Sequence, residues 1–368
     1  STVFRDITFP MIRPALLSAI LLSLLGGFQA FDSPLYIGLP AGIMVLNTHI
    51  YYLTKAYPPD YPLAATASTL VTYIVVVIIV WQQLLLRKAR RFVTVGGRQY
   101  QVGQIDLGRW KFFTSFTIVL ILFIYPILPL LTILVASFFK TFNILTLSLD
   151  ELTLSNYIEL FTYSKVIRAF INTFFAIPIS VALSVIVGLF VSYYIARTNL
   201  RFKSFMENLA MLPSSLPAVV LAVALVWTYA RTVIYGTILL IIVAFVIYAL
   251  PYSLRVVIGS QFQIHNELEE ASRCCGASWF RTFIQILLPL IKPAIIAAYF
   301  VTLVYGVQEL SIPLMLRFPA TELASVIIYD LWSEGYREYA AAMGVYLLII
   351  ILTLYLVSNK LFKASFMK

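Results

Sequence analysis

The stretch "LPLIKPAIIAAYFVTLVYGVQELSIPLMLRFPA" (residues 288–320) contains a long apolar run that decides the fold. Between residues 294 and 312 only Glu309 carries a charge. A helix needs about 20 apolar residues to cross roughly 30 Å of hydrocarbon, because only intrahelical hydrogen bonds satisfy its backbone there. The stretch therefore predicts a membrane-spanning helix.

Similar runs fill much of this chain of 368 residues, which is 61% hydrophobic and only 11% charged. A soluble core of this length does not hide so much apolar surface, so the composition predicts an all-α membrane protein, a polytopic helical bundle. We expect about eight transmembrane helices, at residues 11–31, 66–86, 112–139, 167–195, 205–230, 235–257, 294–312 and 339–358.

A net charge of +10 is compatible with two kinds of acidic partner, a lipid surface or nucleic acid. If "RKARR" (residues 87–91) is cytoplasmic, alternation of the spans places most lysines and arginines on or beside the inside, as the positive-inside rule requires. We therefore expect a basic surface facing the lipid bilayer, with no nucleic acid, in a multi-pass protein of the cell membrane, inner or plasma.

The two cysteines, Cys274 and Cys275, are adjacent and fall on a segment that this topology places in the reducing cytoplasm. A structural disulfide is not expected there. No second cysteine pair or nearby histidine completes a tetrahedral ligand set, so we predict no metal site. We interpret the pair as small packing residues.

The opening stretch has a counterpart, "FPMIRPALLSAILLSLLGGFQAFDSPLYIGLPA" (residues 9–41), at an offset of 279 residues. Four prolines coincide over these 33 residues, and Gly27 and Gln29 match Gly306 and Gln308. From the start of one copy to the start of the next the chain crosses six predicted spans, and an even number returns it to the same side of the membrane. The sequence therefore predicts a parallel repeat, with a pathway between the halves.

The two halves are unequal in this chain. We expect residues 1–86 to be the remnant of a first half with its last two spans, residues 87–111 to be a basic cytoplasmic linker, and residues 112–368 to be a complete six-helix second half with both ends cytoplasmic. A similar unit would need about 170 more residues upstream. Within the linker, "VTVGGRQYQV" (93–102) fits a small hairpin or a loose connection.

The loop "GSQFQIHNELEEASRCCGASWFRTFIQILLPLIKP" (259–293) is too polar for lipid but shows helical spacing. Gly276 suits a left-handed helix end and Ser278 suits the cap of a second short helix, while Pro289 and Pro293 suit a turn into the next span. The pattern predicts two short helices at the cytoplasmic surface.

The same loop displays three acidic residues, Glu267, Glu269 and Glu270, on an otherwise basic side. They fit either a basic partner surface or a solvated helix face.

Within this loop, Glu270-Ala271-Ser272, three residues, Gly276, nine residues, Ile286, one residue and Leu288-Pro289 resembles the "EAA, three, G, nine, I, one, LP" loop of ABC importer permeases of the binding-protein-dependent kind. Ser272 stands where that pattern has a second alanine. In the first half only the tail of such a loop is present, ending at Pro10. The resemblance implies a type I ABC importer permease with two fused halves, the first of which begins inside its loop.

In that family the loop forms a coupling helix that sits in a groove of a cytoplasmic ATPase subunit. The resemblance implies that Glu270 makes polar contacts with the ATPase, that Ala271 allows close approach and that Gly276 permits the turn. The expected coupling residues, including the first-half remnant, are Glu269, Glu270, Ala271, Ser272, Gly276, Ala277, Ile286, Pro289, Ile7 and Pro10.

The resemblance further implies a cytoplasmic ABC ATPase dimer and an extracytoplasmic substrate-binding protein as partners. The chain contains no G-x-x-x-x-G-K-[ST] sequence, the loop that cradles phosphates. We therefore expect no cofactor on this chain, no catalysis of its own, and ATP with Mg on the partner ATPase.

Three strings make the chain most similar to the ferric-iron permeases: "DLGRW" (106–110), "LEEA" (268–271) and "VQELSIPLML" (307–316). Permeases for thiamine, polyamines or sulfate-type anions share much of this pattern and stay open as alternatives. An ion-coupled secondary carrier predicts buried acidic or histidine relays, whereas the acids here lie in loops and span ends. A membrane-embedded enzyme needs a nucleophile with a base, which two distant histidines do not supply.

Polar residues inside spans are costly and are therefore functional candidates. Our candidates for the translocation path are Asn172, Thr302, Tyr305, Gln308, Glu309 and Gln29. Glu309 also fits an interfacial carboxylate, and the amides of Asn172, Gln308 and Gln29 also fit hydrogen bonds between helices. Six prolines are expected to kink helices, either as hinges or for packing: Pro126, Pro129, Pro178, Pro213, Pro217 and Pro251.

Overall fold

A computed structural model describes residues 6, 9–89, 108, 110–143, 148–198 and 201–366. It is built from α-helices joined by short π and 3₁₀ turns, and the one β pairing within these ranges is an isolated bridge between Phe139 and Leu152. The predicted hairpin at 93–102 and Ile7 of the coupling-loop remnant lie outside the described residues.

The helices, in chain order, are α1 (Phe9–Gln29), α2 (Leu46–Lys55), α3 (Tyr61–Ala89), α4 (Trp110–Leu122), α5 (Leu128–Ala136), α6 (Ser155–Leu160), α7 (Ser164–Arg197), α8 (Lys203–Met211), α9 (Ala218–Tyr229), α10 (Ile238–Gln263), α11 (Glu267–Cys274), α12 (Trp279–Thr282), α13 (Leu288–Gln308), α14 (Ser311–Met315), α15 (Ala324–Ser333) and α16 (Arg337–Phe366).

The described residues contain six helices long and apolar enough to cross a membrane, or up to eight spans if two bent pairs are counted. This confirms the predicted polytopic helical class. The spans predicted at 11–31 and 205–230 fall on these two bent pairs, and the second pair contains Pro213 and Pro217, where kinks were expected. Ala19–Gln29 meets Pro34–Ala41 at 53°, and Lys203–Ser215 meets Ala218–Tyr229 at 106°.

The sharper bend has a local cause at Pro217. Leu216 adopts an extended conformation, with φ −104° and ψ 138°, and Pro217 follows as the N-cap of α9. The residue before a proline is driven out of the helical region by the proline ring, so the chain turns at this point. By contrast, α7 and α10 continue through Pro178 and Pro251.

The entry into α13 differs from the predicted turn at Pro289 and Pro293. Helix runs without interruption from Trp279 to Gln308. A π turn, Phe283–Leu287, stands directly before α13. Such a wide turn accommodates a helical proline, which lacks an N–H and crowds the preceding turn. Another π turn, Phe123–Ile127, contains Pro126.

The repeat extends from sequence into the order of elements. The helices α1 and α13 have bounds that differ by the same 279 residues, and each contains 21 residues. Each is followed by a short helical turn, then by a helix of 10 residues, α2 or α15, and then by a long apolar helix, α3 or α16.

The described residues divide into two compact units. The first unit comprises residues in 1–24, 78–163 and 330–346, and the second comprises 25–77, 164–329 and 347–368. In the first unit, the Asn156 amide donates to the carbonyls of Ser137 and Phe139, at 3.0 and 2.7 Å, and holds the segment between α5 and α6. The Tyr157 ring packs edge-on against Tyr346 of α16.

The core of the second unit is formed by α7, α10 and α13. Glycines allow these helices to approach closely. A Cβ at Gly188 of α7 would lie 3.0 Å from Ser253 Oγ of α10, and a Cβ at Gly306 of α13 would lie 2.8 Å from Ile177 Cγ2 of α7. The three helices therefore form one closely packed group.

Candidate functional site

The segment that joins α10 to α13, residues 264–282, is a helix, a tight turn and a second short helix. Gly276 has φ +81°, and the amides of Gly276 and Ala277 donate to the carbonyls of Arg273 and Ser272 at 2.9 and 3.2 Å. This is the Schellman arrangement, which satisfies the last carbonyls of α11. Ser278 Oγ accepts the amide of Arg281 and caps α12, at 3.4 Å. The predicted pair of short helices, with the turn at Gly276 and the cap at Ser278, is confirmed.

The two faces of α11 have opposite environments. Glu267, Glu270 and Ala271 are exposed, whereas Glu269 on the other face is only 6% exposed. The expectation that all three glutamates are displayed is therefore wrong for Glu269. Cys274 and Cys275 are both exposed free thiols, so interpreting them as packing residues is also wrong.

Glu269 pairs with Arg197, the last residue of α7. The Arg197 Nε lies 3.2 Å from Glu269 Oε1, and the two side chains are 4% and 8% exposed. The second carboxylate oxygen, Glu269 Oε2, accepts a hydrogen bond of 3.4 Å from the Tyr193 hydroxyl and lies 3.6 Å from the exposed Arg273 guanidinium. This buried pair fastens α11 to the end of α7.

The remaining residues of the predicted coupling loop have structural contacts. Ser272 is half-buried, and its hydroxyl lies 2.9 Å from Thr282 Oγ1 across the turn between α11 and α12. The serine that replaces alanine at this position thus adds a polar link. Ile286 is half-buried within the π turn, and Pro289 is exposed in the first turn of α13. Pro10 occupies the matching position in α1.

A cavity of about 280 Å³ lies elsewhere in the second unit. Its wall includes Gln29, Asp32, Tyr248, Tyr252 and Glu309, and among the described residues no lysine or arginine lines it. Two carboxylates and two phenols therefore face one space, with no positively charged side chain among the lining residues that the structure describes.

Glu309 is half-buried, and hydrogen bonds hold its carboxylate in place. Its Oε1 accepts the amides of Ser311 and Ile312, at 2.9 and 3.3 Å, at the start of α14, and the Tyr248 hydroxyl hydrogen-bonds the same side chain. Asp32 is exposed to the cavity. Glu309 thus serves both as a cap of α14 and as part of the cavity wall.

The structure brings only part of the predicted translocation path together. Gln29 and Glu309 line the cavity, and the Gln29 amide donates to the Ser214 carbonyl at 3.3 Å. Tyr305 reaches the wall through Tyr252, on which its ring stacks with centroids 5.2 Å apart. Gln308 is exposed at the end of α13 and is not part of the lining.

Two further path candidates lie away from the cavity. The Asn172 amide donates to the carbonyls of Ala320 and Glu322, at 2.9 and 3.0 Å, and holds that loop against α7. This agrees with the alternative role in helix packing. Thr302 is 1% exposed within the helix group.

Sequence reasoning missed Asp32, Tyr248 and Tyr252. The sequence did contain a signal for Asp32. It is an acidic residue at the edge of a predicted span, two residues after Ala30, which is the repeat counterpart of Glu309. The tyrosines carried no such signal, because the chain contains 23 of them.

Comparison with known proteins adds three findings. Residues 184–365 match the family described as "Binding-protein-dependent transport system inner membrane component". The chain is 27% identical over 359 residues to the ferric transport system permease protein FbpB of Actinobacillus pleuropneumoniae, covering 96% of this chain and 51% of the relative. It is 28% identical over 313 residues to the putative ferric transport system permease protein FbpB 1 of Haemophilus influenzae, covering 84% and 48%. The chain thus spans about half the length of these curated relatives.

A solved structure shares the fold. A bacterial ABC transporter involved in the import of the acidic polysaccharide alginate includes a chain that superposes with a TM-score of 0.55 at 18% identity, covering 69% of this chain and 96% of the other. The similarity at this level concerns the arrangement of helices alone.

Proposed function

We propose that this chain is the membrane-spanning part of an ATP-driven importer, because residues 184–365 match the family of binding-protein-dependent transport system inner membrane components. The proposed partners are a cytoplasmic ABC ATPase dimer, which carries ATP and Mg, and an extracytoplasmic substrate-binding protein. The observation that carries the proposal is the form of the α11–α12 segment. It presents an exposed helix face between two spans while its other face is fastened to α7.

The exposed face of α11 is the proposed contact with the ATPase. Glu270 and Ala271 lie on it, one charged and one small, so a partner can approach closely and form a charge-assisted hydrogen bond. ATP-driven closure of the ATPase dimer then moves α11, and the spans alternate between outward-open and inward-open states. In this arrangement the α11 end of the bundle is cytoplasmic, as are both ends of residues 112–368.

Ferric iron is the proposed substrate, as the relatives' names suggest. The cavity supports a cation, because Asp32 and Glu309 place two carboxylates on a wall that has no lysine or arginine among its described residues. Hard cations favour oxygen ligands of this kind. A sulfate-type anion would meet like charge there, which is repulsive. Thiamine and polyamines are also cations and are kept as alternative substrates.

The test is vanadate-sensitive ATP hydrolysis in liposomes that contain the full-length permease, the neighbouring ATPase and the binding protein, with ferric iron, thiamine, a polyamine or sulfate. We expect iron-loaded binding protein to stimulate hydrolysis, and Glu270→Arg to abolish the stimulation while the protein still inserts. Glu207→Arg is the matched control, since it reverses an exposed charge on α8 outside the loop.

Each outcome separates part of the proposal. If another ligand stimulates hydrolysis and iron does not, the substrate is wrong and the importer stands. If Glu207→Arg and Glu270→Arg lose stimulation equally, α11 has no special role. If no ATPase couples to the permease, the importer proposal fails as a whole.

A further inference from the structure

The guanidinium of Arg197 is largely enclosed at the α11 end of the second unit. Its side chain is 4% exposed and faces Glu269 at 3.2 Å. Its Nη2 donates to the carbonyl of Gln261 at 2.9 Å, and its Nη1 donates to the Asn266 amide oxygen. One side chain from α7 therefore contacts the last turn of α10, the connection after it, and α11. Arginine suits this task, because its rigid fork of donors fixes several acceptors at defined angles.

A second set of hydrogen bonds closes the same junction. Gln261, fully buried, donates to Ser192 Oγ at 2.7 Å. The indole of Trp279 in α12 donates to the Tyr193 hydroxyl at 2.7 Å. Since Tyr193 also contacts Glu269, both short helices of the coupling segment are tied to the end of α7.

Stability alone is a poor explanation for this buried pair. Removing two charges from water is costly, and packed apolar residues of similar volume commonly serve a core as well or better. What Arg197 supplies is position, since it donates to Gln261 and to Asn266 beside α11 while its charge faces that of Glu269. The same contacts connect α11 to a long helix, because α7 has 34 residues and packs along α10 at Gly188.

We infer that Arg197 is a positioning residue that locks α11 to α7 through Glu269, so that displacement of α11 passes to α7 and α10 as one rigid body. The inference rests on the proposed function, in which an ATPase moves α11. Glu269 and Glu270 then have different tasks although they are adjacent. Glu269 faces inward and transmits, whereas Glu270 faces outward and contacts the partner.

The lock itself is tested without any partner. In the permease carrying Cys275→Ser, a nitroxide spin label on Cys274 reports the mobility of the end of α11. We expect Glu269→Gln and Arg197→Lys to raise the mobile fraction of the spectrum. Glu270→Gln is the matched control and is expected to leave the spectrum unchanged. Equal spectra for Glu269→Gln and Glu270→Gln would overturn the lock.

Transmission is tested in the complex with the ATPase and with ferric iron presented by the binding protein. The double variant Arg197→Met/Glu269→Leu removes both charges together, so no buried charge is left unpaired and folding is preserved. We expect assembly and basal ATP hydrolysis to persist, while stimulation falls at least about fivefold, the lower end of typical coupling between sites. Wild-type stimulation in this variant would show that the pair is only structural and would overturn the inference.

The two proposals fail in different ways. If the unmodified permease binds no ATPase, the proposed function falls and transmission falls with it, while the spin-label spectra still decide whether Arg197 holds α11. If the unmodified complex couples and the double variant couples equally well, the proposed function stands and the inference falls.

Discussion

Replacing Gly306 by alanine is expected to destabilise the α7–α10–α13 group. The added Cβ would lie 2.8 Å from Ile177 Cγ2, a distance that side-chain carbons do not tolerate. Ile177 is fully buried, and its Cγ2 is attached to a β-branched carbon that rotates little within a helix. The clash therefore has to be relieved by moving one helix away from the other.

The magnitude follows from two opposing effects. Overpacking a buried contact costs about 1–3 kcal/mol. Alanine in place of glycine favours a helix by up to about 1 kcal/mol. Gly259 in α10 is the matched control, because nothing lies within 4 Å of its added Cβ. Gly259→Ala keeps the helix gain without the clash, so the two variants should differ by roughly 1–3 kcal/mol.

The assay is thermal unfolding of the detergent-solubilised permease at one fixed scan rate, with all variants in the same detergent. We expect Gly306→Ala to unfold several degrees below Gly259→Ala, and Gly306→Ala/Ile177→Leu to recover part of the loss because leucine lacks the branching methyl. If Gly306→Ala unfolds at or above the temperature of Gly259→Ala, the tight approach of α13 to α7 is wrong.

Three other changes test separate features. Asn172→Asp replaces the amide that donates to two carbonyls with an acceptor, so we expect a loss of about 1–3 kcal/mol in thermal unfolding and no change in the KM for transport. Gly276→Ala places a Cβ at φ +81° and should cost about 1–2 kcal/mol. Gly276→Asn, which tolerates this conformation, should lose less in the same melt. Asp32→Asn and Glu309→Gln remove charge from the cavity while the glutamine can still cap α14, so uptake of radioactive iron from the binding protein should fall roughly tenfold, about 1.4 kcal/mol. Unchanged uptake in both variants would remove the cavity from the path.

The repeated stretch and the α11–α12 segment were accessible from sequence because each depends on local rules. Apolar length predicts spans, and matching prolines at one offset predict equivalent helices. A glycine followed two residues later by serine predicts the end of one helix and the start of another. The structure confirms α11, the turn at Gly276 and the cap at Ser278.

Bends and breaks were less accessible, although their prolines were recognised. A bend of 106° occurs at Pro217, while Pro178 and Pro251 leave their helices continuous. Every proline lacks a backbone N–H donor and crowds the preceding turn. Neighbouring helices decide whether the chain bends at the proline or a wider helical turn accommodates it.

The sequence by itself determined the helical class, the apolar spans, the repeated stretch and the position of the α11–α12 segment, since hydrophobic length and turn chemistry act between near neighbours. Only the tertiary structure decided which of two adjacent glutamates is buried. Glu269 is inward because Arg197, 72 residues earlier, offers a partner for its charge, and Glu270 is outward because the helix rotates by about 100° per residue. The same holds for Asp32 and Glu309, which face one cavity only because folding brings distant segments together.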